Sequence, residues 1–214
     1  MATIIRDPIL EQRIIADRVE RGIDRYDEVW EGVYVMPPML NDEHQMLVGR
    51  LTRILDEIIG DRKLGDVRPG VNISDRLDGW QQNYRVPDVA VFLNITKAVN
   101  HDSFWLGGPD FAIEIASPGD QVHDKIPFYS KVATRELLII DRSPWQLELY
   151  RLQSRGKLAL VGISTTDDKA GLFSELLAIQ IRLLPEATGA KRRQIQIDET
   201  ISPTSKSPRR SWII

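Results

Sequence analysis

Two carboxylates stand where carboxylates are costly. Asp88 follows Pro87 near the head of an apolar run at residues 86–93 (VPDVAVFL), and Glu114 lies inside residues 111–116 (FAIEIA). Burying an ionised carboxylate forfeits its hydration unless a partner or a cation compensates it. Two carboxylates from adjacent strands, completed by waters and phosphate oxygens, make a donor set suited to Mg²⁺. Taken singly, each reads more readily as a strand-end carboxylate satisfied by loop amides or solvent. Lys125 follows Glu114 after a strand-to-helix reversal. An ammonium placed there would hold an attacking water or stabilise a pentacovalent phosphate. The expectation is that Asp88 and Glu114 face one cleft with Lys125 beside them.

The elements that must position these residues are legible in outline. Residues 28–36 read as a β-hairpin about Glu31-Gly32, stopped by Pro37-Pro38. Asn41-Asp42-Glu43 offers caps for a helix, and Met46, Leu47, Leu51, Ile54, Leu55, Ile58 and Ile59 recur at helical spacing up to Gly60. Strands are expected at 66–74, 86–93, 111–116 and 136–140, with a closing hairpin over 146–152 and 157–163. A short helix follows residues 117–123, with Asp124 as N-cap and Pro127 in its first turn. The order is α/β (α+β): a central mixed sheet flanked by helices, with an N-terminal hairpin. Residues 1–25 read as an extension, 26–189 as the domain, and 190–214 as a basic tail, disordered or an oligomer arm.

Composition removes several chemistries. Cysteine is absent, which excludes disulfides, thiolate metal sites and a cysteine nucleophile. His101 and His123 lack zinc-type spacing. No glycine-rich phosphate loop appears, so no nucleotide cofactor is expected. No apolar run reaches the length of a membrane span, and the first ten residues lack a signal-type apolar stretch, which points to the cytoplasm. The net charge is −3, with Lys191, Arg192, Arg193, Lys206, Arg209 and Arg210 crowding the last 25 residues.

The succession of short motifs resembles the PD-(D/E)XK nuclease superfamily and, within it, the Uma-two family of restriction-endonuclease-like proteins. The matching pieces are Asp27-Glu28-Val29-Trp30-Glu31-Gly32, Met36-Pro37-Pro38, His44 at a helix start and Arg85-Val86-Pro87-Asp88-Val89. They continue through Glu114-Ile115-Ala116-Ser117-Pro118, Asp124-Lys125-Ile126-Pro127-Phe128-Tyr129 and Glu136-Leu137-Leu138-Ile139-Ile140-Asp141. The resemblance implies a restriction-endonuclease-like core and Mg²⁺, with Mn²⁺ as a substitute. It implies Asp88 and Glu114 as metal ligands, the main-chain carbonyl of Ile115 completing the shell, and Lys125 as the catalytic lysine. Two positions depart from the pattern: Ala116 stands where the plain motif has lysine, and Thr134-Arg135 replaces a usual Gly-Val.

Residues at the edge of such a site are His44, Glu43, Glu31 and His123. Each reads also as a cap, a packing residue or a solvated side chain. Trp80 reads as a loop aromatic for base stacking or for a subunit interface. Two function classes follow. One is a metal-dependent DNA endonuclease, acting on DNA and assembling as a homo-oligomer. The other is a noncatalytic module that kept the fold for DNA binding or protein assembly, favoured by the acidic body and by cations scattered at Arg68, Arg76, Arg85, Lys97 and Lys131.

Overall fold

The computed structural model describes residues 8–37, 41–117, 119–168, 171–185, 192–200 and 208–214. Helix α1 spans Pro8–Glu20, within the segment read as an extension. The hairpin β1 (Glu28–Trp30) and β2 (Val33–Val35) turns at Glu31-Gly32, both with positive φ. Helix α2 (Asp42–Leu55) is capped by Asn41, whose side chain accepts the His44 N–H at 2.9 Å. Asp42 and Glu43 in its first turn suit the positive end of the helix dipole. Its apolar stripe runs on through a π turn at Asp56–Gly60.

The stretch expected as one strand at 66–74 is two, β3 (Gly65–Pro69) and β4 (Ile73–Ser74), because Gly70 with positive φ turns the chain between them. Then come β5 (Tyr84–Arg85), β6 (Val89–Leu93), β7 (Val99–Asn100), β8 (Trp105–Leu106) and β9 (Phe111–Ile115). A 3₁₀ turn at Val122–Lys125 leads into α3 (Ile126–Lys131), with Pro127 in its first turn. The side chain of Asp124 caps nothing, because the 3₁₀ turn moves the helix start past it. The chain continues as β10 (Glu136–Arg142), β11 (Trp145–Leu152), β12 (Leu158–Ser164), β13 (Leu172–Ser174), β14 (Ile179–Leu183), β15 (Ile195–Glu199) and β16 (Arg210–Ile213).

The central sheet has the order β12-β11-β10-β9-β6-β3, mixed, with β9 and β10 parallel. One face carries Val89, Val91, Ile113, Ile115, Leu138 and Ile140 against α2 and a four-stranded sheet, β13-β14-β15-β16. The other carries Ala90, Phe92, Ala112, Leu137 and Ile139 beneath α3, whose Phe128 and Tyr129 are buried there. A third sheet, β2-β1-β5-β4-β8-β7, joins the hairpin to the segment that leads into β6.

The basic tail differs from its sequence reading. Ile195 and Ile197 are buried in the main core, Ile214 joins them, and β15 pairs with β14. The alternation Ile-Gln-Ile-Asp-Glu gives a strand one apolar face, and that face is enough to dock it. Lys191 and Lys206 lie outside the described residues.

Candidate active site

Sheet register brings the two carboxylates together. Val89 stands opposite Ile113 in the β6–β9 ladder, and one further step places Asp88 opposite Glu114. Both positions fall on the face beneath α3, because residues alternate faces along a strand. Pro87 would stand opposite Ile115 and has no N–H to donate to its carbonyl. The ladder therefore ends there: the Ile115 N–H donates instead to Asp88 Oδ2 at 2.7 Å, and Pro87 offers the Ile115 carbonyl nothing. Asp88, Glu114, Ile115, Lys125, His44 and Glu28 line one small cleft.

Lys125 reaches that cleft from the 3₁₀ turn. Its Nζ donates to Glu114 Oε2 at 3.0 Å and to Glu28 Oε1 at 2.8 Å. Tyr129, one helical turn on, donates its hydroxyl to Glu114 Oε1 at 2.5 Å. His44 Nε2 lies 3.1 Å from Asp88 Oδ1, and its buried Nδ1 has no hydrogen-bond partner. Burial pushes the Glu114 carboxyl up to about 8, with Lys125 opposing and Glu28 and Asp88 adding to the rise. Burial also opposes the charge on Lys125, but Glu114 and Glu28 outweigh it and hold the ammonium above its ordinary range. The two directions agree: a firmly charged lysine stands beside a Glu114 carboxyl whose ionisation burial opposes.

The chain matches the family model named Uma2, described as "Putative restriction endonuclease", over residues 15–184. The chain belongs to the Uma2 family. A solved structure, a "putative nuclease belonging to DUF820" from Anabaena variabilis, is similar in fold: TM-score 0.57, 19% identity, covering 71% of this chain and 83% of that one. No curated protein matches the chain.

Within this Uma2 chain the departures from the plain motif have structural counterparts. Ala116 is buried on the face beneath α3, its N–H bonding Ile140 and its carbonyl accepting from Arg142 Nε at 3.0 Å, and its methyl brings no charge there. The lysine arrives from the next turn instead. Before β10 the left-handed residue is Ala133, at φ 61°, one place ahead of Thr134-Arg135.

Three residues expected at the site edge lie elsewhere. Glu31 is exposed at the hairpin turn, paired with Arg76 at 2.9 Å and Lys131 at 3.3 Å. Its turn faces outward, so it adds no carboxylate to the cleft. Glu43 meets Arg142 at 3.3 Å, in a clamp that also holds Asn41 and Ser117. His123 Nε2 bonds Glu148 Oε2 at 2.9 Å, over β11. His44, by contrast, lines the cleft. Trp80 stacks on Phe104, with ring centroids 4.7 Å apart.

Glu28 and Tyr129 were missed as site residues. Both had a signal. Glu28 heads a short apolar strand as Asp88 does, but a hairpin reading assigned it to a turn-flanking position. Tyr129 is four residues after Lys125, hence on the same helical face.

Proposed function

We propose that this protein is a Mg²⁺-dependent DNA endonuclease that hydrolyses phosphodiester bonds, with Mn²⁺ able to replace Mg²⁺. The observation that carries the reading is the cross-strand pair Asp88 and Glu114 opening on one cleft, with the Lys125 ammonium 3.0 Å from Glu114.

The residues fit a divalent cation. Glu28, Asp88 and Glu114 are buried beside two fixed cations, Lys125 and the buried Arg85, so the carboxyl groups outnumber them by one. Burial holds a proton on Glu114 that a cation would displace. Among the described residues, no three His, Cys, Asp or Glu side chains are grouped so as to hold a metal ion together. An ion held by one or two carboxylates, a carbonyl and waters suits Mg²⁺, which keeps much of its hydration. Asp88, Glu114 and the Ile115 carbonyl would hold it. Once bound it would supply Lewis-acid polarisation of the scissile phosphate and a lowered pKa for water.

The chain's own groups do the rest. Tyr129 and Lys125 each take one oxygen of Glu114 and fix its orientation. The Ile115 amide and His44 fix Asp88. Lys125, charged and already positioned, stabilises negative charge that develops on the phosphate during in-line attack. DNA is the substrate, and assembly of two or more copies would concentrate the scattered cations on it.

The test is incubation with supercoiled, linear and single-stranded DNA in Mg²⁺ or Mn²⁺. The wild type should cleave at least one form, EDTA should stop it, and Asp88→Ala should not cleave. Inert wild type with all three forms and both ions contradicts the reading.

A further inference from the structure

We propose that Glu28 is a positioning residue of this site, holding the Lys125 ammonium over the cleft from the N-terminal hairpin. The path to it is short. β5 pairs with β1 and leads within three residues to Asp88, so the hairpin is delivered beside the head of β6. Glu28 is 3% exposed, and both of its oxygens are engaged. Oε1 accepts from Lys125 Nζ and from the Val86 N–H, each at 2.8 Å. Oε2 accepts from Trp30 Nε1 at 2.7 Å. Trp30 is itself fixed by Arg85, whose guanidinium stacks between Trp30 at 4.5 Å and Phe128 at 4.4 Å.

A buried carboxylate with three donors is rigid, and its charge-assisted bond to Lys125 is of the strong kind. The arrangement gives the lysine two anionic partners with separate duties. Glu114 is shared with the ion site, so its hold on Lys125 weakens when a cation draws on the same carboxylate. Glu28 has no such competitor. It keeps the Lys125 ammonium in place after Glu114 is engaged, which makes the lysine a fixed hydrogen-bond donor at the cleft. The hairpin is thereby part of the site, not an ornament on the domain.

The catalytic half of this inference rests on the nuclease reading, so its test reads the lysine directly. In protein labelled with ¹⁵N-lysine, the held ammonium of Lys125 should give a slowly exchanging signal, assigned by its loss in Lys125→Arg. Glu28→Gln keeps an acceptor for Val86 and removes the charge. It should speed proton exchange of that ammonium by about tenfold or erase the signal, as expected for loss of one charge-assisted hydrogen bond. On DNA, kcat should fall by about 10²-fold with KM unchanged, the scale for a misplaced catalytic group. Glu28→Asp should recover part of it. If Glu28→Gln does not fold, Trp30→Phe, which removes only the donor to Oε2, must move the signal in the same direction. Unchanged exchange in the folded variant overturns the proposal. Wild-type protein that cleaves no DNA overturns the nuclease reading, while the ammonium signal still decides the role of Glu28.

Discussion

Lys125 shows how one buried cation can serve structure and chemistry together. It neutralises Glu28 and Glu114 at once, so its removal leaves two carboxylates uncompensated. Breaking a buried ion pair on one side costs about 3–5 kcal/mol. Lys125→Met should therefore melt well below the wild type at pH 7. Where it remains folded, cleavage should be lower by about 10²-fold or more. Lys125→Arg should not rescue fully, since a planar guanidinium does not replace a compact ammonium. Glu114 carries a pH signature. Its folded pKa, raised to about 8 by burial, exceeds the unfolded carboxylate value, so between these two pH values the folded protein holds a proton that the unfolded chain releases. Stability should fall as pH rises through that window, and Glu114→Gln should flatten the profile and equal or exceed the wild type at pH 8. Thermal melts at pH 5 and pH 8 check both signs.

At the level of elements, α2 and the four-stranded sheet β13-β14-β15-β16 set the stability of the scaffold. Asn41 caps α2 and also accepts from Arg142 Nη1 at 2.9 Å, so Asn41→Ala should cost at least about 1 kcal/mol in urea unfolding. Deleting residues 190–214 would take Ile195, Ile197 and Ile214 out of the core. Each buried isoleucine is worth about 2–5 kcal/mol when truncated to alanine, so the deletion should abolish cooperative folding. Ile197→Ala alone should lower stability by an amount in that range. Elements with strong periodicity were legible in the sequence: α2, β9, β10 and the β11–β12 hairpin. The tail strands were not, because Pro, Ser and basic residues around residues 190–210 masked a five-residue alternation whose partner, β14, is donated by the preceding chain. Asp88 and Glu114 stood out because charge inside apolar runs is conspicuous, and Lys125 because it opens the helix that leaves the same strand. Glu28 heads a short apolar strand too, but its burial depends on how the hairpin docks, which that strand alone does not fix.

The whole molecule is acidic, with pI near 5.7, and most of the five scattered cations weighed for DNA binding are buried or paired. Arg85 is buried, Arg68 pairs with Asp66, and Arg76 and Lys131 pair with Asp75. Lys97 lines a separate cavity beside β8 and β10, away from the cleft. A single chain so built makes few phosphate contacts. Its DNA affinity should be weak and depend shallowly on salt, with a log–log slope no steeper than about −3, against the steep slopes of proteins that neutralise many phosphates. No helix among the described residues is long and apolar enough to cross a membrane. The central claim is that one cleft at the ends of β6 and β9 cleaves DNA with a bound cation. The rate of nicking of supercoiled DNA at saturating Mg²⁺, compared between wild type and Asp88→Ala proteins of matched fold by circular dichroism, tests it most directly. The account predicts nicking by the wild type and a fall of at least about 10²-fold in the variant; equal rates in the two proteins would contradict it.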